Sequence, residues 1–71
     1  MTARDITDTL AQLRRDLGIT QRDLAAGIGV ATSAVGHWEA GDATPTLPHA
    51  AEWARQLGVT LTVHNPDMQG K

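Results

Sequence analysis

The sequence predicts an all-α fold: four short helices around one small core, followed by a short C-terminal β-strand. Three observations carry this. The stretch Gln21 to Gly41, QRDLAAGIGVATSAVGHWEAG, reads as two short helices joined by a tight turn. Apolar residues recur at helical spacing before and after it. At Val59 the period changes from helical to alternating.

The first helix is expected from about Arg4 to Leu17. Ile6, Leu10, Leu13 and Leu17 recur at steps of four, three and four, a narrow apolar face. Thr2 and Asp5 are both candidate caps, and the sequence does not choose between them. Gly18 ends this helix and Ile19 leads into the next.

Thr20 is placed to N-cap the second helix, with Asp23 three residues on, close to a capping box. Leu24, Ala25 and Ile28 form its apolar stripe. Gly29 follows, where a left-handed residue ends a helix without strain, and Val30 plugs the turn. The third helix is expected from about Thr32 to Ala40. Val35 and Trp38 face inward and Gly41 closes it. Two helices joined this closely cross steeply. The residue facing the crossing must then be small, and Ala25 meets that demand.

Asp42 to Pro45 is a loop by composition. Thr46 caps the fourth helix, and Pro48 is tolerated in its first turn. Leu47, Ala50, Ala51, Ala54 and Leu57 are read as its inner side, with Trp53 on the flank and Gly58 as the stop. From Val59 to His64, Val59, Leu61 and Val63 alternate with Thr60, Thr62 and His64, a strand pattern; a frayed fifth helix is the alternative. Asn65-Pro66 stops it, and 65–71 reads as a loose tail. A lone strand leaves its backbone groups without partners. A second copy of the chain, paired about a two-fold axis, supplies them. Val59, Leu61, Val63 and Trp53 are the expected dimer-interface residues.

With 71 residues there is room for one domain, 1–71. Eleven alanines suggest closely packed helices, and without Phe or Tyr the two tryptophans carry the large apolar area. The absence of Cys removes disulfides and thiolate chemistry and fits a reducing compartment. MTARDITDT has no apolar signal core, and no stretch is long enough to span a bilayer. A soluble, cytoplasmic protein without membrane association is expected.

Catalysis finds little support. Ser33 is the only serine, and no base and orienter are marked for it. His37, His49 and His64 lack metal-site spacing. Gly27-Ile-Gly29 is too short for a phosphate loop. No enzyme activity, metal or cofactor is expected.

The residues of the central stretch resemble the helix-turn-helix of the Cro/C1-type (XRE-like) regulator family, and so a lambda-repressor-like domain. The resemblance rests on Gln21 opening the second helix, small Ala25, turn Gly29, buried Val35 and Trp38-Glu39-x-Gly41. It runs without a gap from about Leu13 to Gly58, with the helix-turn-helix at 21–40. It implies a sequence-specific transcriptional regulator, a small repressor binding a palindromic double-stranded DNA operator as a homodimer.

In such a motif the second helix enters the major groove with its N-terminal residues at base edges. Those residues here are Thr32, Ser33, Gly36 and His37. The resemblance implies that Thr32 and Ser33 read first, with His37 donating to a guanine or a phosphate. Gly36 has no side chain to read with, but its smallness allows close approach to a thymine methyl or to the backbone. The resemblance also implies that Gln21 holds a phosphate, a role favoured by its place at a helix N-terminus. Arg22 and Arg15 are candidate phosphate contacts. The family often pairs an arginine late in the first helix with the glutamate ending the reading helix, which implies a structural Arg14–Glu39 pair. Some members dimerise through a C-terminal strand or helix.

Three features depart from the pattern. Asp42 and Ala43 follow Gly41 where a cation is common, and Ala31 stands where Ser or Thr usually caps the reading helix. The net charge is −2, against the simple expectation for nucleic-acid binding. The alternative reading is a protein-interaction module, such as an antitoxin that also engages a protein partner through Trp53 or the tail.

Overall fold

A computed structural model describes residues 3–62 and holds four helices: α1 (Ala3–Asp16), α2 (Gln21–Ile28), α3 (Thr32–Ala40) and α4 (Leu47–Gln56). Two threonines start two of them. Thr20, in extended conformation, accepts a hydrogen bond from the Asp23 N–H at 3.0 Å. Thr46 does the same for His49 N–H at 3.3 Å. Each satisfies a backbone donor that the first helical turn leaves open. α1 begins at Ala3, so Asp5 sits inside its first turn rather than ahead of it. Thr2 lies outside the described residues.

The turn between α2 and α3 depends on Gly29, which takes φ +92°. This lets the Gly29 and Val30 N–H groups both donate to the Ala25 carbonyl, at 2.8 and 3.0 Å. The chain then reverses within three residues, and α3 starts at Thr32.

α2 packs against both α3 and α4, and α1 lies across α3 and α4. The core joins Leu10 and Ala11 of α1, Leu24 and Ala25 of α2, Val35 and Trp38 of α3, and Trp53 and Ala54 of α4, with Leu57 just beyond it. Trp38 and Trp53 stack at its centre, ring centroids 5.9 Å apart. Burying one such ring contributes roughly 4–6 kcal/mol by area, an upper value. Fixing both rings therefore also fixes α3 against α4.

Several expectations about faces change. Trp53 is fully buried, so it is a core residue and offers no surface to a second subunit or a protein partner. Helical spacing put it on the flank. It is drawn inward because, apart from Trp38, the apolar core holds only small and aliphatic side chains, and its ring stacks on Trp38 to fill the space. Leu17 lies past the end of α1 and is 51% exposed, because the Leu17 and Gly18 N–H groups close that helix. Thr7 and Ala11 are buried on α1 instead. Leu47 is 57% exposed and Ala51 is exposed, since the inner side of α4 runs through Ala50, Trp53, Ala54 and Leu57.

Residues 59–62, the described part of the expected strand, form neither strand nor helix. The Val59 N–H donates back to the Ala54 carbonyl, closing α4, and no strand is present among the described residues to form a ladder. Val63, His64 and the tail lie outside the described residues.

Candidate nucleic-acid interface

The two sides of α3 are chemically opposite. Val35 and Trp38 are 0% and 6% exposed and lock it to the core. Thr32, Ser33 and His37 are exposed, and Gly36 is half-buried among them. The helix positions i, i+3 and i+4 share a face, so Gly36 neighbours Thr32 and Ser33. α3 begins at Ala31 in extended conformation with no side-chain cap. Its first N–H groups thus have no partner from the capping side chain.

Three side chains hold the end of α3. Arg14 grips the Glu39 carboxylate with two bonds, Nε to Oε2 at 2.6 Å and a terminal nitrogen to Oε1 at 2.9 Å. Its other terminal nitrogen donates to the Ile19 carbonyl at 2.7 Å. Both side chains are about nine-tenths buried. A guanidinium fork matches a carboxylate in this geometry, which is directional as well as strong. Gln21 adds a third bond, donating from Nε2 to Glu39 Oε1 at 2.9 Å. The ion pair and the first residue of α2 are therefore one network, and it sets the α2–α3 crossing.

Burial alone would raise the Glu39 carboxyl. The hydrogen bonds from Arg14 and Gln21, with the charges of Arg14 and Arg15, outweigh it and hold the group below its ordinary value.

Arg4 is a residue that sequence reading missed. It reaches from the start of α1 to the Glu39 carbonyl at 3.3 Å and lies against Gly41. A cation there meets the negative end of the α3 dipole. No local signal marks it, because the two residues are 35 positions apart. Gln56 is similar: it donates to the Gly27 carbonyl at 3.2 Å and ties α4 to α2.

The remaining candidates are separate from this network. His37 Nδ1 stands 3.6 Å from Asp42 Oδ2, a contact that is ionic only when the imidazole is protonated. Arg22 is exposed and makes no ion pair among the described residues. Arg15 donates to Gln12 at 3.2 Å and also lacks a carboxylate partner among them. Arg4 and Arg55 pair with Asp8 and Glu52. Among the described residues no three His, Asp or Glu are gathered to hold a metal ion, and no helix is long and apolar enough to cross a membrane.

Comparison with known proteins agrees with this geometry. No individual curated protein matches the chain. The family model described as Helix-turn-helix matches residues 10–64, more than half of the chain, from mid-α1 past the end of α4. A short α2, a glycine turn and an α3 with one locked and one polar face are the parts that motif needs, and the chain belongs to the helix-turn-helix family as a DNA-binding regulator of the Cro/C1 (XRE) type.

Proposed function

We propose that this chain is a sequence-specific transcriptional repressor that binds a palindromic double-stranded DNA operator as a cytoplasmic homodimer, without enzymatic activity. The observation that carries the reading is the exposed polar start of α3, with Thr32, Ser33 and His37 outward while Val35 and Trp38 are buried behind them. That arrangement suits a helix whose first turns enter the major groove. Gln21 and Arg22 at the start of α2, and Arg15 at the end of α1, are the proposed phosphate contacts. Gln21 keeps a second amide hydrogen for this role while its first is held by Glu39.

Dimerisation is supported by the surface beside α4. Val59 is 41% exposed, and with Leu61 it lines a mostly apolar hollow of about 170 Å³ shared with Ile6, Leu10, Ala54 and the threonines Thr9 and Thr60. A two-fold pair through this edge presents two reading helices. To meet successive major grooves they lie ~34 Å apart, so half-site centres are about 10 base pairs apart.

The test is unbiased operator selection with the purified protein, followed by titration of Ser33→Ala and His37→Ala. Each variant is expected to keep its fold and to lose roughly 1–3 kcal/mol of specific binding. Full affinity and selectivity in both variants would show that α3 is not the reader.

A further inference from the structure

Six glycines lie among the described residues. Gly18, Gly29, Gly41 and Gly58 adopt positive φ, where L side chains are strained. At Gly27 an added Cβ would collide with the Gln56 carboxamide, so the missing side chain admits a group from α4. Gly36 has neither reason. Its φ is not positive, and a Cβ built on it would meet only Gln21 Oε1, at 3.8 Å, an ordinary van der Waals distance. Within the folded chain alanine would fit and would favour the helix. Among the described residues nothing in the fold requires glycine there.

The notch at Gly36 has a chemistry of its own. Gly36 is the fifth residue of α3, so its N–H runs along the helix to the Thr32 carbonyl and does not face outward. The nearest polar atom, Gln21 Oε1, is an acceptor. Its identity follows from Glu39: a carboxylate only accepts, so the amide nitrogen faces it and the oxygen turns toward Gly36. A phosphate oxygen seated where the Cβ would stand meets an atom of its own polarity at 3.8 Å. An apolar methyl finds the Cα hydrogens and the space a Cβ would occupy.

We propose that Gly36 is a specificity-determining position whose notch receives the 5-methyl group of a thymine in the major groove. That methyl is the apolar group which base edges present there. The proposal rests on the DNA-binding reading above and names the base at one operator position.

The experiment uses the operator obtained by selection, with thymines replaced one at a time by uracil, which removes only the methyl. One position in each half-site is expected at which uracil weakens wild-type binding about fourfold, the change for one buried methyl group. Gly36→Ala is expected to raise the thermal midpoint, to bind the selected operator about tenfold more weakly, and to be indifferent to uracil at that position. The proposal is overturned if no thymine responds to uracil, if Gly36→Ala binds as tightly as the wild type, or if Gly36→Ala melts at a lower temperature. In those outcomes an enriched operator still leaves the DNA-binding reading standing. If selection enriches no sequence at all, that reading fails and the notch assignment falls with it.

Discussion

Arg14 and Glu39 show how a pair of single residues governs the interface without facing it. Each is nearly buried, so removing one partner leaves the other charged and unpaired in a dry place. Arg14→Ala and Glu39→Ala are each expected to destabilise the fold by about 3 kcal/mol, and the double variant by clearly less than the sum. Denaturant titration of the four proteins checks this, and additive losses would mean there is no coupling. The pH dependence has a definite sign. The folded Glu39 carboxyl lies below its ordinary value, so its contribution is fully present above that ordinary value and is lost as pH falls through the lower folded one. Wild type and Glu39→Gln should therefore differ most near neutrality and converge in acid. Gln21 shares the network, so the same acid range should loosen the start of α2. Neither Arg4 nor Gln21's bond to Glu39 was legible in the sequence. Such contacts join residues 18 to 35 positions apart, and nothing in local spacing encodes them.

At the scale of the elements, α3 follows Ala31, an N-cap that makes no side-chain bond in an otherwise suitable place. Ala31 has φ −69° and ψ 148°, the extended conformation that a capping serine adopts. Thr20 has closely similar angles and does make its bond. Ala31→Ser is therefore expected to stabilise the fold by about 1 kcal/mol, read as a higher denaturation midpoint. No gain would mean that the start of α3 is held from elsewhere. The helices themselves were readable because their caps and stops are local. Thr20, Thr46, Gly29 and Gly41 act within a few residues of where they stand. The faces were read less well. Spacing places Leu47 and Ala51 inward, but α4 is short and its rotation is decided by where Trp53 packs.

For the molecule as a whole, charge placement matters more than charge total. Of the arginines among the described residues, Arg4, Arg14 and Arg55 are held by carboxylates, which leaves Arg15 and Arg22 for phosphates. Two contacts per subunit make about four per dimer, so the log–log salt slope of operator binding should be roughly −4, shallow for a repressor. Val59→Glu places a charge at an exposed apolar site and should leave the helices intact while producing a monomer. Its slope should then fall to about −2, with lost operator affinity. Sedimentation and binding at several salt concentrations read both effects. A monomeric wild type, or a steep slope, would remove the dimer arrangement proposed here.

What the sequence by itself determined was the four helices and the motif they build. Helical periodicity, threonine caps, a left-handed glycine and a small Ala25 are rules of local sterics and hydrogen bonding, so they can be read along the chain. The tertiary structure decided which surfaces exist. Trp53 became core because its ring stacks on Trp38, whereas Val59 stays exposed beside α4. Gly36 became an open notch because the Gln21 oxygen stops 3.8 Å short of where a Cβ would stand. Both outcomes depend on how helices distant in sequence meet, and that is set by the packing of the whole core.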